Sequence, residues 1–452
     1  MARSHTRRHM VALLSAVSAL ALFPRLAWAE AKPAARLIVL ADLHSAYERL
    51  GPLLAAVQRE VADAAVPHLI LINGDIFESA NVVTTRSSGA IDWAFLAALR
   101  KLGPVVLNLG NHEPDLENDL ALVVATARAA GITVVTNITD VRTGRTYADP
   151  VVKVEVGPLS VSVIGIATNA LATYPKATRD MIAIPDPAAW AEENLATLIG
   201  AGTLPVILSH AGVVADRGIL EAVPDGTLLV GGHDHLLFTH AAGATRYFHT
   251  SSWANVYTVV DIGANGAFSL EQRRVDADAP APREFGALIA ATLAAHLRPE
   301  DLEAVGTSSK ALTLGETGRS IAATMAAAVG ADAGFIGHTT LGTGIPAGPV
   351  SRYQFDAILR FDGKFMVMAD VDAAVFAGIL ARCNQDGDIP LAGRTGDFLY
   401  SAPTVPTGKA TLRIVTNDWS AMNQLKYFGR DDLAFSEVPD MRLKAVVAES
   451  LG

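Results

Sequence analysis

The chain has 452 residues, of which 50% are hydrophobic and 18% are charged, enough for a large core and more than one domain. Its formal net charge of −10 argues against polymeric nucleic acid as a partner, because such binding depends on clustered Lys and Arg. The only cysteine, Cys383, excludes an internal disulfide.

The first segment of the chain has the composition of an export signal. Arg7 and Arg8 precede the apolar run 10–23, which is followed by small residues suited to a cleavage site. The run of about 14 residues is shorter than the roughly 20 that span a membrane. We interpret residues 1–29 as a signal peptide of either the ordinary secretory or the twin-arginine type. This predicts a periplasmic or secreted protein with no stable membrane span after the signal is removed.

From residue 36 onward, short apolar runs alternate with longer stretches of helical character. Runs of four to eight β-rich residues bounded by Gly or Pro are typical of buried strands. We predict such strands at 36–40, 68–72, 104–109, 159–166, 204–209 and 226–231. Helices are predicted within 46–65 and 90–102, and residues 247–263 are predicted to form closing hairpin strands. The alternation predicts an α/β domain built in layers.

Composition changes at residues 275–285, where Asp, Ala and Pro predominate as in an interdomain linker. A helix is predicted to follow at 285–297. We therefore divide the chain after the signal peptide into a first domain at 30–275, a linker and helix at 276–300, and a second domain at 301–452. The second domain would have about 150 residues, which is a normal domain size.

Side chains that can bind metals follow five of the predicted strands. In layered α/β domains such strand ends gather along one edge of the sheet, where ligands bind. The residues concerned are Asp42, His44, Asp75, Asn111, His210, His233 and His235. In an extended segment the rings of His233 and His235, two residues apart, would face the same side. Each motif alone is more often a turn, an N-cap or a surface histidine, but five coincidences at strand ends favour a shared site.

These residues suit a pair of divalent metal ions. One ion could be bound by Asp42, His44 and His235, the other by Asn111, His210 and His233, with Asp75 bridging the two. Imidazole nitrogen mixed with carboxylate and amide oxygen favours Mn, Zn, Co or Fe over Ca, which prefers oxygen ligands. Two such ions, about 3.5–4 Å apart, would hold the attacking and leaving oxygens of an in-line displacement.

The order of these motifs resembles the calcineurin-like metallophosphoesterase family, and in particular its bacterial periplasmic 5′-nucleotidase branch. The resemblance is carried by DLH at 42–44, GD at 74–75, GNHEPD at 110–115, LSHAG at 208–212 and GGHDH at 231–235. It implies a layered α/β sandwich followed by a smaller α/β C-terminal substrate domain, and it assigns the same seven metal ligands. It also implies that His112 and Asp115 form a catalytic dyad, since a carboxylate-steered histidine beside a ligand can act as a general acid. The alternative for Asp115 is a helix cap.

The second domain resembles the family less closely. The resemblance implies that Phe361 and Tyr427 hold the substrate base between two rings, although both could equally be core aromatics. The loop GHTTLGTG at 337–344 lacks the arginine found in the family's glycine-rich loop, and neither His338 nor a threonine of the loop is equivalent in bidentate recognition of anions. Arg352 and Arg360 are near in sequence, but the sequence does not place them.

We therefore predict an exported, monomeric, dinuclear metal-dependent phosphoesterase. Its first substrate class is a nucleotide phosphomonoester, hydrolysed by in-line attack of a hydroxide held between the metals. Two alternatives share the fold, a 2′,3′-cyclic nucleotide phosphodiesterase and a thiosulfohydrolase. An alternative of another class is a non-catalytic ligand-binding protein that retains the metals, against which the presence of both His112 and Asp115 argues.

Overall fold

A computed structural model describes residues 32–62, 65–363 and 366–451. The predicted signal peptide at 1–29 lies outside these residues. From Pro33 onward the chain forms one unit, so the domain division at residue 275 stays a prediction. No helix among the described residues combines the length and the hydropathy needed to cross a membrane.

The described residues contain strands and helices in alternation. The strands are β1 (Ala35–Leu40), β2 (His68–Asn73), β3 (Val105–Asn108), β4 (Thr133–Val135), β5 (Thr139–Asp140), β6 (Arg145–Thr146), β7 (Val151–Val156), β8 (Leu159–Ala167), β9 (Ile182–Ala183), β10 (Leu204–His210), β11 (Leu228–Gly231), β12 (Leu237–Ala242), β13 (Thr245–Thr250), β14 (Val256–Ile262), β15 (Phe268–Arg274), β16 (Ala304–Ser308), β17 (Ala333–Gly337), β18 (Gly348–Ser351), β19 (Met366–Asp372), β20 (Leu399–Ala402), β21 (Thr411–Asn417) and β22 (Ser436–Glu437). The helices are α1 (Tyr47–Glu60), α2 (Val82–Ser87), α3 (Ala90–Leu102), α4 (Leu120–Ala129), α5 (Pro187–Leu198), α6 (Val213–Ala222), α7 (Arg283–His296), α8 (Pro299–Leu302), α9 (Leu314–Val329), α10 (Arg352–Ile358), α11 (Ala373–Leu380), α12 (Asp418–Met422), α13 (Gln424–Phe428) and α14 (Leu443–Glu449).

Residues 33–274, the sandwich region, form two facing six-stranded sheets. Their strand orders are β15-β14-β1-β2-β3-β4 and β12-β13-β11-β10-β8-β7. The inner strands β1, β2 and β3 run parallel in the first sheet, as do β8, β10 and β11 in the second. All six predicted strands are present, and the layered α/β prediction is confirmed.

The inner strands are buried on both faces, which explains their continuous apolar sequence. In β1, Leu37 and Val39 join the hydrophobic cluster between the two sheets. The alternate residues Ile38 and Leu40 join the cluster that packs beneath α1, α3 and α4. Since successive side chains point to opposite faces, a strand between two cores has no polar position to break its pattern.

The hairpin predicted over 247–263 is wrong, because β13 and β14 lie in different sheets. β13 pairs with β11 and β12, whereas β14 pairs with β1 and β15. Between them, Ser251, Trp253 and Ala254 all adopt left-handed backbone, with φ between 51° and 64°. This turn carries the chain from one sheet to the other, and its Trp253 N–H donates to the Asp42 carbonyl at 2.7 Å.

Residues 299–451, the C-terminal region, form a smaller mixed sheet, as the fold prediction requires. Its order is β20-β17-β21-β19-β22, and α9 packs against β17, β20 and β21. The predicted helix before this region is present as α7, which packs against α1, α2 and α3. One hydrophobic cluster contains Ile166 and Tyr247 from the sandwich region together with Ile321, Phe398 and Val415 from the C-terminal region. The two regions therefore share a core.

Candidate metal centre

The predicted ligands come together at one edge of the sandwich. The prediction placed their strand ends along a single sheet, but β1, β2 and β3 belong to one sheet and β10 and β11 to the other. Two buried asparagines join the sheets at this level. Asn73 donates to the Ser209 carbonyl at 2.9 Å, and Asn108 donates to the Leu208 carbonyl and to the Asn73 side chain, both at 3.0 Å. These contacts align the strand ends of both sheets.

The first predicted ligand set is assembled around two facing imidazoles. The Nε2 atoms of His44 and His235 lie 2.8 Å apart, and Asp42 Oδ1 lies 3.8 Å from His235 Nε2. Atoms that share one ion at bond lengths of about 2.0–2.2 Å are separated by roughly 3 Å. Asp42, His44 and His235 are therefore spaced to bind one metal ion.

The second set lies beside the first and shares Asp75 with it. His210 Nε2 is 3.1 Å from Asp75 Oδ2, and His233 Nδ1 is 2.8 Å from Asn111 Oδ1. Asp75 Oδ2 is also 3.8 Å from His44 Nε2 in the first set. The carboxylate of Asp75 thus stands between the two sets, where a bridging ligand belongs.

His210 has the hydrogen bonding of a metal ligand. Its Nδ1 lies 2.7 Å from the Asn73 carbonyl, whereas its buried Nε2 faces Asp75 Oδ2 at 3.1 Å without the geometry of a hydrogen bond. With Nδ1–H on the carbonyl, the lone pair of Nε2 remains for a cation. Histidines that bind metals usually donate their other ring N–H in this way, which fixes the tautomer and the ring orientation.

The electrostatics of the buried site also suit divalent cations. Burial lowers the pKa of His44 to about 4, with the Arg360 guanidinium adding to the effect, and burial likewise lowers the pKa of His233 to about 4. Both imidazoles are therefore neutral at pH 7, the form that binds metals. Burial raises the pKa of Asp42, and the neighbouring carboxylate of Asp75 raises it further. Such crowded carboxylates are stabilised by nearby positive charge, which a metal ion provides.

The ligand-bearing turns have unusual backbone conformations. Left-handed φ values between 47° and 75° occur at Asp42, His44, Asp75, His233 and His235. The extended conformation predicted for His233 and His235 is therefore wrong. The chain turns after β11, so the His233 ring reaches Asn111 and the His235 ring reaches His44. Left-handed backbone costs free energy in residues other than glycine, and such residues cluster at functional sites.

Glu113 in the GNHE motif shapes the turn that carries Asp75. Its buried carboxylate accepts hydrogen bonds from the backbone N–H groups of Asp75 at 3.1 Å, Ile76 at 2.9 Å and Gly110 at 2.5 Å. A Cβ atom at Gly110 would lie 2.3 Å from Asp75 Oδ1. Glycine is therefore required at position 110, and Glu113 holds the two loops together.

The structure places His112 and Asp115 in contact beside the ligands. His112 Nδ1 lies 3.0 Å from Asp115 Oδ2, and the same oxygen accepts a hydrogen bond from the Ser79 N–H at 2.8 Å. Burial alone would lower the pKa of His112, but Asp115 and Asp75 outweigh it and raise the pKa to about 9. With Nδ1 directed at Asp115, Nε2 is the nitrogen available for proton transfer to a ligand.

A cavity of about 550 Å³ opens onto Asp75, Asn111 and His112. Its opposite wall comes from the C-terminal region and includes Phe361, whose side chain is 47% exposed, and Trp419, which is 36% exposed. Two aromatic side chains thus face the same space as the candidate ligands.

Tyr427, predicted to be the second ring of the base clamp, does not line this cavity. It is only 2% exposed; the Trp419 indole N–H donates to its hydroxyl at 3.2 Å, and that hydroxyl donates to Asp397. Tyr427 therefore lies in the layer behind Trp419. The resemblance pointed to Tyr427 as the second ring and did not point to Trp419, which lines the cavity.

Two further residues lie at the site: Arg360, which the sequence did not place, and Glu78, which it did not indicate. The Arg360 Nε–H donates to Glu78 Oε2 at 2.7 Å, and its Nη1 donates to the Thr339 carbonyl at 2.9 Å. Nη2 lies 3.3 Å from both His44 Nδ1 and His112 Nε2. Glu78 lies three residues after Asp75 in the stretch GDIFES. A single glutamate in a loop does not indicate a partner 282 residues away in the sequence.

An α/β sandwich with such a cluster at its strand ends is typical of metal-dependent hydrolases. Residues 35–237, which span most of the sandwich region, match the family model described as calcineurin-like phosphoesterase. No curated protein sequence matches the chain.

Solved structures of similar fold extend over both regions. A 5′-nucleotidase precursor from Thermus thermophilus has a TM-score of 0.58 at 19% identity, covering 92% of this chain and 96% of that chain. The sulfate thiohydrolase SoxB, also from Thermus thermophilus, has a TM-score of 0.63 at 15% identity, covering 93% and 94%. A 5′-nucleotidase from Candida albicans has a TM-score of 0.60 at 12% identity, covering 93% and 98%. At these identities the similarity shows a common two-part fold and does not distinguish substrates.

Proposed function

We propose that this protein is an exported, dinuclear metal-dependent phosphoesterase that hydrolyses nucleotide phosphomonoesters. The observation that carries the proposal is the pair of ligand sets on either side of Asp75, next to His112 and open to a cavity with aromatic walls. One ion would be held by Asp42, His44 and His235, and the other by Asn111, His210 and His233, with Asp75 shared between them.

Two divalent ions bound there would supply Lewis-acid stabilisation of charge on the phosphoryl oxygens. His112 holds a proton on Nε2 and gives it to the oxygen of the departing alcohol. Asp115 fixes the imidazole through Nδ1 and stabilises its protonated form, as a carboxylate partner does in other acid–base pairs. Burial of the ligand edge excludes water from the charges that react.

The walls of the cavity support a nucleotide as the substrate. Every nucleobase has a face that can stack on an aromatic ring, and such stacking contributes about 1–3 kcal/mol per base. Phe361 and Trp419 offer these rings, and Lys176 and Lys426 add positive charge to the lining. The volume of about 550 Å³ is typical of a small-molecule site.

A substrate panel on metal-loaded protein tests this proposal. AMP and a simple aryl phosphate should be hydrolysed, and His112→Asn should slow both while the metals remain bound. Turnover of a 2′,3′-cyclic nucleotide alone would replace the proposal with a cyclic phosphodiesterase, and turnover of a sulfur ester alone would replace it with a thiosulfohydrolase. Binding of these compounds without turnover of any would indicate a metal-retaining binding protein.

Export and the monomeric state are tested separately. Cell fractionation should recover the protein from the periplasm or medium, shortened by residues 1–29, and light scattering should give the mass of one chain. Replacing both Arg7 and Arg8 by Lys should block export if the twin-arginine route is used, whereas an ordinary secretory signal should tolerate the change.

A further inference from the structure

Arg360 is a cation that the C-terminal region delivers to the metal centre. Its side chain is only 3% exposed, yet it lines the cavity beside Asp75 and His112. Its guanidinium carbon lies 4.9 Å from the centre of the Phe361 ring and 5.6 Å from that of Trp253, so aromatic rings contact it from the sandwich and C-terminal regions. A buried guanidinium in such a place requires a specific anionic or polar partner.

Glu78 is that partner. The carboxylate pairs with Nε and Nη2 of Arg360, and the Thr339 carbonyl accepts from Nη1. The backbone N–H of Arg360 also donates to the Thr340 carbonyl at 3.0 Å. The loop at 337–344, which contains no arginine, therefore holds one in place through its carbonyl groups.

These contacts use only part of the guanidinium. Arginine has five N–H donors in a rigid fork, and three are accounted for by Glu78 and Thr339. The remaining side of Nη2 faces His44 Nδ1 and His112 Nε2, each at 3.3 Å, which is long for a hydrogen bond. An anionic oxygen is a far better acceptor for these donors, since charge-assisted bonds are shorter and roughly twice as strong.

The other cations that line the cavity are less suited to this role, and Lys176 is exposed. Arg179 donates to the carbonyls of Tyr174 and Ala172 and is thereby committed to its own loop. The Lys426 side chain is 43% exposed and lies 3.7 Å from Asp397. Neither contacts a histidine of the metal centre, whereas Arg360 contacts two of them.

We propose that Arg360 binds the tetrahedral oxyanion of the substrate and that Glu78 holds it ready to do so. The inference rests on the proposed phosphoesterase function, because it assigns the anion as the phosphoryl group that reacts. A guanidinium matches two oxygens of such a group at once, and its positive charge favours a phosphomonoester dianion over a diester monoanion.

Binding of inorganic phosphate to metal-loaded protein tests this role without turnover. Removing Arg360 alone would leave the Glu78 carboxylate buried and unpaired, so the main variant is the neutral pair Arg360→Gln with Glu78→Gln. Its phosphate dissociation constant, measured by calorimetry, should rise by roughly 10- to 100-fold, the range for losing a hydrogen bond to a charged group. Elemental analysis should find the same metal content as in the wild type.

Three further variants serve as controls. Glu78→Gln alone keeps the guanidinium and should retain more phosphate affinity than the double variant. Arg360→Lys keeps the charge but loses the fork, so it should also weaken phosphate binding, and it decides the matter if the double variant does not fold. Arg352→Gln removes an exposed charge at the start of α10 and should leave phosphate binding unchanged.

A second readout is the preference between substrates of different charge. The ratio of kcat/KM for an aryl phosphomonoester to that for a bis-aryl phosphodiester should fall in the Arg360 variants, because the dianion loses more than the monoanion. A purely structural role for Arg360 would lower both rates equally. Unchanged phosphate affinity together with an unchanged ratio, in any folded Arg360 variant with full metal content, would overturn the proposal.

Failure of this inference can be told apart from failure of the proposed function. If wild-type protein binds phosphate through Arg360 but hydrolyses no phosphoester, the proposed function fails and the anion site stands. If it hydrolyses phosphoesters and the Arg360 variants bind phosphate as the wild type does, the function stands and the role of Arg360 is wrong.

Discussion

The two sides of the cavity are built in different ways. The metal side is made of mostly buried residues at strand ends, five of which have left-handed backbone. The opposite side is formed by side chains from separate parts of the C-terminal region. Phe361 and Trp419 are partly exposed, whereas Arg360 is buried and extends to the metal centre. Under the proposed function, the metal side would carry out the reaction and the opposite side would select the substrate. Substitutions on the two sides should separate these effects.

The largest loss should follow removal of the shared ligand. Asp75→Ala should lower kcat by roughly 10³-fold or more and reduce metal content, because stabilisation by the metals is worth several kcal/mol. His233→Ala removes a ligand from one set only and should cost less. Activity and elemental analysis are measured on both, with exposed Asp278→Ala as the control. The bridging role is contradicted if Asp75→Ala keeps its full metal content or is no more damaging than His233→Ala.

A smaller loss, still on the metal side, is expected at His112. His112→Asn should leave the metals bound and lower kcat by about 10²–10⁴-fold, the range for general acid–base groups. The loss should be greatest with an alkyl phosphate, whose leaving oxygen needs a proton, and smaller with a nitrophenyl phosphate. Equal kcat for the variant and the wild type on the alkyl ester would remove His112 from the mechanism.

Substitutions in the opposite wall should change recognition and spare the chemistry. Phe361→Ala and Trp419→Ala should each raise KM for AMP by roughly 5- to 100-fold, as expected for a stacked base, with little effect on a small aryl phosphate. If either ring serves only packing, its loss should lower the melting temperature and impair both substrates equally.

Tyr427→Phe distinguishes the supporting layer from the wall. The change removes the hydroxyl that contacts Asp397 and Trp419, so it should cost about 1–3 kcal/mol of stability and leave KM nearly unchanged. Thermal unfolding and AMP kinetics check both parts. A rise in KM as large as that of Trp419→Ala would restore Tyr427 as a substrate contact.

The smallest effect on activity is expected at Asp92, a buried carboxylate away from both sides. Burial raises its pKa to about 7, while Tyr47 donates to its Oδ2 at 2.6 Å. Between about pH 4 and 7 the unfolded chain releases this proton and the folded chain keeps it, so Asp92 lowers stability as pH rises, by on the order of 4 kcal/mol. Asp92→Asn should remove this loss, as urea midpoints at pH 5 and pH 8 would show. Asp278→Asn is the control and should behave as the wild type does. If the urea midpoint of Asp92→Asn changed between pH 5 and pH 8 as much as that of the wild type, the role of Asp92 would be contradicted.

Much of the metal side could be predicted from the sequence because its residues are local. Each strand is an apolar run buried on both faces, and the ligands follow within a few residues of its end. Patterns of this kind predicted the six strands and the seven residues that the structure brings together. They did not predict the left-handed turns, which explains the errors at 247–263 and in the backbone of His233 and His235.

The opposite side was less predictable because its contacts are made only on folding. Arg360 and Glu78 are 282 residues apart in the sequence, and neither lies in a motif that indicates the other. Trp419 and Tyr427 lie eight residues apart in the sequence, and only the packing of the folded chain shows which ring lines the cavity. Asn73 and Asn108 join two sheets, and the pattern of strands in the sequence does not predict how these sheets are placed relative to each other.

The measurement that tests the central claim most directly is the metal stoichiometry of the purified protein, followed through chelation and reloading with an aryl phosphate assay at each step. The account predicts two divalent ions per chain, loss of hydrolysis as they are removed, and recovery when Mn, Co or Zn is returned. Full hydrolysis by protein shown to contain no metal, or reloading that restores two ions without any hydrolysis of phosphoesters, would contradict it.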